Sequence, residues 1–404
     1  MAILKEYQQF TGRHPETGTV HNALAVQGVT APHTGQPFSE ALLMGIAGGI
    51  AFGYFTFEYE GYPPHIALLT RNTFDPLDTL FERLAIPREV MHTTSVEKAN
   101  SNVRDALEGG QPAIVWADRF SLSYNALEYD ENNWAIMPLL VHGLDDTHAH
   151  LADRANTSIV VPLAELNAAR GRIKKDKFRV MTLAAPDLSR LPSAVSKGIW
   201  QCISLFTDAP PKGKRDSFGL AALQFWAKML TNTRNKQSWT RYFPPGERLW
   251  MALAGNTVQP GAFTWLKNAE GNCAERGMFA DFLTEAAQLL EKPVLNDSAA
   301  LFRESETEWA QLVTLLLPQD IPVFKETAEL LTRKHAIFVT QGGDALDEIM
   351  QINTRLTEIR ESVSGDFPMS EDDVQAFFAG LAAQVLKIHD AEQAAIAHLQ
   401  SVMA

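Results

Sequence analysis

Few residues in this chain carry reactive chemistry, and their spacing limits what they can do. Two cysteines occur in 404 residues, Cys202 and Cys273. Cys273, in "NAEGNCAERGMF", stands just ahead of a helical pattern. There a helix N-terminus and the neighbouring Arg276 can acidify a thiol, making it a relocated nucleophile or a redox-sensitive group. The competing reading is a small buried residue in a loop. Arg276 is read either as an anion or substrate contact or as a structural ion pair with Asp281 or Glu285. His148 and His150 share one face of a strand, but no third ligand follows at useful spacing, so solvated hairpin histidines are preferred to a metal site. The sequence implies no metal and no cofactor. "GIAGGIAFG" lacks the Gly-x-Gly-x-x-Gly order and precedes a strand, which disfavours a nucleotide loop and favours close packing of helix on sheet. Trp226, Trp250 and Trp309, each within a helical pattern, are read as core, with a ligand-stacking box as the alternative.

The segment "GRHPETGTVHNALAVQG", 12–28, has a polar lead, a proline, and then Val20, Ala23, Leu24 and Gln27 at helical spacing. A helix that activates a nucleophile places it at this entry point. The residue here is Pro15, with neither thiol nor hydroxyl, although its fixed φ suits a first helical turn. His14 and Glu16 flank it. They can bind a ligand, or they can cap the helix and pair with its dipole.

Around these residues the chain reads as an ordinary globular protein, 46% hydrophobic and 21% charged, with a net charge of −13. That excludes a disordered or fibrous chain. The acidic balance argues against nucleic-acid and anionic-membrane partners, since the one basic cluster, Arg170 to Lys177, is short. Two distant cysteines and an N-terminus without a basic-then-apolar layout point to a cytoplasmic protein. The uncharged run 41–57 is read as buried core. Helices are expected over 15–27, 38–47, 75–84, 94–108 and 162–170. Strands are expected at "AFGYFTFEY", "REVMHTT", "PAIVWAD", "AIMPLLVHG" and "HAHLAD", with "GLDDTH" turning between the last two. Prolines interrupt the pattern around 183–194. From about 195 the chain reads as amphipathic helices with apolar residues at i, i+3 and i+4, and Ser370 is placed as an N-cap before the last of them. The expected architecture is α+β: a domain over 1–188 and an all-α domain over 189–404.

"HPETGTVHNAL", "SEALLMGIAGGIAFGYF", "PAIVWADRFSLSY" and "PLLVHGLDD…HLAD" occur in the order found in the N-terminal domain of butirosin-biosynthesis protein H, which the chain therefore resembles. "ERGMFADFLTEAA" and "EWAQL" resemble the helical domain that usually follows. The resemblance implies a papain-like fold and an acyltransferase ancestry, in which a Cys opens the first long helix, a strand His takes its proton, and an acidic or amide residue orients the His. At the matching positions stand Pro15, Met137 and Asp153, so that the Cys–His dyad is lost and only the third member is kept. Asp118 and Tyr124 match polar positions of the family's "D…L-x-Y" stretch, and Arg276 matches a family arginine. His142 and His21 are considered as alternative bases, and neither is placed to substitute: His142 falls on the strand face opposite Met137, and His21 faces away from Pro15.

Three functions follow, in order of preference. The first is a binding or scaffold protein of bacterial specialised metabolism, holding a small molecule, peptide or acyl-carrier protein in the old cleft between the first helix and the strand bearing Met137. The second is an enzyme that uses that cleft without a covalent intermediate, with His14, Glu16 or Asp153 assisting proton transfer. The third is a thiol enzyme with Cys273 as nucleophile. The apolar C-terminal helices make a homodimer reasonable.

Overall fold

A computed structural model describes residues 2–269 and 272–404. The first half of the chain runs β1 (Ala2–Ile3), α1 (Pro15–Val26), α2 (Glu40–Ile46), β2 (Ile50–Phe57), β3 (His65–Arg71), α3 (Pro76–Arg83), β4 (Arg88–Met91), α4 (Val96–Glu108), β5 (Ala113–Asp118), β6 (Ile136–Leu144), β7 (His148–Ala152), β8 (Ile159–Pro162), α5 (Leu163–Gly171) and β9 (Val180–Leu183). The second half runs α6 (Leu191–Thr207), α7 (Gly219–Thr231), α8 (Trp239–Tyr242), α9 (Glu247–Ala254), α10 (Ala262–Leu266), β10 (Lys267–Ala269), β11 (Asn272–Cys273), α11 (Arg276–Leu289), α12 (Leu295–Leu316), α13 (Pro322–Gln341), α14 (Leu346–Gly365) and α15 (Glu371–Met403). This is an α+β chain with a helical C-terminal part. Among the described residues no helix is long and apolar enough to cross a membrane.

Two compact units share the chain. One comprises Met1–Leu43, Leu77–Leu191 and Arg333–Gln351; the other comprises Met44–Pro76, Pro192–Thr332 and Ile352–Ala404. A single cut near 188 does not separate them, because 44–76 groups with the C-terminal helices and 333–351 with the sheet.

The first unit is built on a seven-stranded sheet in the order β4-β9-β5-β6-β7-β8, with β1 also paired to β6, and every pairing is antiparallel. The turn between β6 and β7 is fixed by Asp145, whose carboxylate accepts the N–H groups of Thr147 and His148 at 2.7 Å each. Alternate residues Val115, Ala117, Leu139, Val141 and Leu151 face one core with Val103 and Leu107 of α4 and Leu166 and Ala169 of α5. Each such side chain taken out of water contributes ~1.5–3 kcal/mol. Ser95 caps α4 by accepting the Lys98 N–H.

In the second unit the hairpin β2–β3 is a separate two-stranded sheet, carried by α7, α9 and α10. The sequence reading placed β2 in the first domain and missed β3. It also missed the short strands β1, β8 and β9, and the pair β10–β11 within the part expected to be all helical. The tryptophans Trp226, Trp239, Trp250 and Trp309 are fully buried. Phe52 of the hairpin lies 5.8 Å from the Trp226 ring and 5.4 Å from the Trp309 ring. Core packing therefore accounts for these residues. The glycine-rich run also packs differently from expectation: a Cβ at Gly45 of α2 would strike the Phe282 ring, and one at Gly198 of α6 would strike the Gly45 carbonyl. The close approach is helix on helix. Ser370 opens α15 with a complete capping box to Asp373, as the sequence led us to expect.

Candidate functional site

Pro15 is the first residue of α1, and no bond is lost there because a first-turn N–H has no intrahelical acceptor. The approach to it is held by Glu40, the first residue of α2. Its buried carboxylate accepts the His14 N–H at 2.7 Å, the Arg13 N–H at 2.8 Å and the Thr17 hydroxyl at 3.2 Å. Gly12 and Gly18 approach so closely that a Cβ on Gly12 would collide with the Gly18 backbone. His14 is buried, and Glu16 lies in the first turn of α1. His21 is buried with both ring nitrogens engaged: Nδ1 is 2.5 Å from the Phe38 carbonyl, and Nε2 is 2.6 Å from the Thr11 hydroxyl. Helix α1 packs on β6, where the Thr19 hydroxyl donates to the Pro138 carbonyl at 3.5 Å. Met137, the next residue, opposes Ala117 of β5 and shares its strand face with Leu139 and Val141.

Asp153 follows the end of β7 and is buried in a dense polar group. It accepts the Tyr124 hydroxyl at 2.8 Å and a two-pronged contact from Arg154, Nε and Nη2 both at 2.8 Å. Burial alone would raise its carboxyl, but Arg154 outweighs that and leaves it below the usual carboxylate range. Burial and then the Asp153 charge push the Tyr124 hydroxyl well above its ordinary value. Arg154 also donates to the Asn125 amide oxygen at 2.6 Å and lies 4.9 Å from the Phe338 ring. A carboxylate engaged in this way is a fixed element of the scaffold. Asp118 is equally committed. It accepts the Ala135 N–H at 2.9 Å and the Ser121 hydroxyl at 2.7 Å, and it pairs with Arg172 at 3.1 Å.

His142 stacks on Tyr7 with ring centroids 4.5 Å apart, and its Nε2 lies 2.9 Å from the Ser158 hydroxyl. Burial first, and then His150 beside it, lower its pKa to about 4. The folded state thus binds fewer protons than the unfolded chain between that value and about 6.5, so stability falls as the pH drops through this window. Unfolding by urea should show a loss of about 2–3 kcal/mol from pH 8 to 4.5 that the His142→Gln variant does not share. Equal losses in both proteins would remove His142 from this role.

Cys273 lies on β11, directly before α11. Burial and then Glu306 push its thiol up to about 11, the opposite of an activated nucleophile. Iodoacetamide labelling should accordingly titrate well above the ordinary thiol value of ~8.5; a midpoint below 8 would restore Cys273 as a nucleophile. Cys202 is fully buried and its thiol is likewise raised. Arg276 does not pair with Asp281 or Glu285. Its guanidinium is fully buried against Glu392, at 2.6 and 3.0 Å, and donates to the carbonyls of Ala51, Thr70 and Ala274. Asp281 instead pairs with Arg303. Arg276 is thereby a structural residue. His148 is exposed beside Thr147 and His150 lies by His142. Among the described residues no three His, Cys, Asp or Glu side chains are grouped to hold a metal.

With α1, β5, β6 and the Asp153 cluster in place, the chain can be compared with known families. Residues 14–154 match the family model described as butirosin biosynthesis protein H, N-terminal. Over that segment, about a third of the chain, the resemblance to butirosin biosynthesis protein H is shown. A comparison with curated proteins gives no match. The matched segment begins at His14, ends at Arg154, and contains Pro15, Glu16, Asp118, Tyr124, Met137 and Asp153; Cys273 and Arg276 lie outside it. Of the positions carried over from the butirosin protein, Tyr124 and Asp153 are joined directly. Pro15 and Met137 sit on two elements in contact, but Met137 shares the strand face of Leu139 and Val141, which packs on α4 and α5. Sequence reasoning missed Glu40, Arg119 and Arg154. Glu40 meets His14 across 26 residues, and the partners of Arg154 come from three separate segments. Only the Arg154–Asp153 contact is local; the others join distant segments.

Proposed function

We propose that this chain is a butirosin-protein-H-like protein that has lost thiol chemistry and acts by binding, as a scaffold or carrier-holding protein in bacterial specialised metabolism. The observation that carries this reading is Pro15 at the first position of α1, inside the segment that matches the family. A proline has no nucleophile, and the methionine at 137 takes up no proton near neutral pH. Two further facts support the loss. Asp153, the carboxylate that would orient a base, is instead engaged by Arg154 and Tyr124. His21 has both ring nitrogens engaged, and His142 is stacked on Tyr7 with its Nε2 at the Ser158 hydroxyl. The fold we associate with the first unit is papain-like, its occupant a small molecule, peptide or acyl-carrier protein, and its compartment the cytoplasm; a homodimer through the C-terminal helices belongs to the same proposal.

The test is steady-state turnover of a small acyl thioester by the wild-type protein, with His14→Ala and Glu16→Gln beside it. A rate equal to buffer for all three proteins supports a binding role. Wild-type turnover that either substitution abolishes, with folding intact, would instead assign non-covalent catalysis to the cleft.

A further inference from the structure

Three cations gather in the first unit around the Asp153 cluster, and one of them, Arg119, keeps a buried donor without an acceptor. Arg119 opens the short 3-10 turn Arg119–Ser121 after β5, its N–H bonded to the Ala135 carbonyl. Its side-chain Nε is sealed from solvent and meets no acceptor, while the residue as a whole stays partly exposed. Arg154 spends its hydrogen bonds on Asp153 and Asn125. Lys334 lies on α13 one helical turn before Phe338, the ring that packs on both Tyr124 and Arg154. Residues four apart share a helix face, so Lys334 belongs to the same side. The charges act on one another. Arg154 and burial pull Arg119 down to about 10, and burial and Arg119 pull Lys334 down to about 8.

A guanidinium held beside other cations with an unmet donor is costly unless an anion completes it. Asp153 attracts Arg119 as a charge but makes no hydrogen bond to its Nε, and it is shared with Arg154. Arginine presents a planar fork matched to carboxylate and phosphate oxygens. We propose that Arg119, with Arg154 and Lys334 beside it, forms a receptor for a compact oxyanion, a carboxylate or phosphate group carried by the bound ligand. This names the ligand class for the binding role proposed above and rests on that reading. The site itself is measured by anion binding and is independent of thioester chemistry, so either can fail alone.

The experiment is thermal unfolding of the full chain against inorganic phosphate, and separately against acetate, at ionic strength fixed with sodium chloride. The wild type should be stabilised saturably by one or both anions. Phosphate alone assigns a phosphate group, acetate alone a carboxylate. Arg119→Met should start at a higher Tm than wild type without anion, because an uncompensated charge is gone, and it should bind the anion at least tenfold more weakly. Lys334→Met should weaken binding in the same direction. A wild type that responds to neither anion, an Arg119→Met protein that responds as the wild type does, or one that starts at a lower Tm would overturn the proposal.

Discussion

Replacing Arg276 with methionine should cost the second unit about 3–5 kcal/mol of stability, the usual loss when one partner of a buried ion pair is removed. Glu392 is fully buried and accepts from Arg276 Nε and Nη2, from the Trp309 indole N–H at 2.7 Å and from the Ser305 hydroxyl at 3.2 Å. Without the guanidinium this carboxylate keeps two neutral donors and no counter-charge. The same change strips the Ala51, Thr70 and Ala274 carbonyls of their donor. Arg276 thus ties α11 to α15 and to the β2–β3 hairpin from one position. Replacing both partners, Arg276→Met with Glu392→Leu, should recover part of the loss, because no buried charge is then left alone. Urea unfolding followed by tryptophan fluorescence reads this unit through its buried indoles. A loss below 1 kcal/mol in the single variant would show that the pair is not a keystone of the helical core.

The second large effect is a gain. Pro15→Cys places a thiol at the start of α1, where the helix dipole favours a thiolate, and Met137→His places an imidazole on β6. The double variant should be acylated by a small thioester about 100-fold faster than Pro15→Cys alone. That is the low end of what general-base assistance contributes. The low end is expected because Asp153 remains held by Arg154 and Tyr124 and is not free to orient the new imidazole. Intact-mass kinetics measure both rates. Equal rates for single and double variants would mean that positions 15 and 137 do not converge, and the assignment of the old dyad would fall.

How far the sequence revealed this molecule depended on the range of the interaction involved. Local signals read well. The helix entered at Pro15, the Ser370 cap, and the β5, β6 and β7 strands with the Asp145 turn all follow from spacing and turn chemistry within a few residues. Short strands stood out poorly: β8 and β9, with four residues each, were missed, and β4, equally short, was read only within the longer run "REVMHTT". The hairpin β2–β3 showed β character in its first strand. What it packs on is set by Phe52 against Trp226 and Trp309, contacts across more than 170 residues that no window contains. Arg276 teaches the same lesson, since two nearby acidic residues looked like partners and the real one is 116 positions away. At the candidate site Pro15, Met137 and Asp153 all fall within the matched segment 14–154. Glu40 at the helix entry, 26 residues from His14, was not legible in the sequence, and Arg154, although adjacent to Asp153, was missed because its side-chain direction is set by Asn125 and Phe338 far along the chain.

The loss of thiol chemistry is tested most directly by incubating the unmodified protein with an excess of a reactive acyl thioester at pH 8 and weighing it intact. The expected spectrum shows the mass of the free chain alone, with Cys202 and Cys273 unlabelled because burial keeps both thiols protonated. A stoichiometric adduct of one acyl group, retained through denaturation and mapped to any side chain of the 14–154 segment, would contradict it.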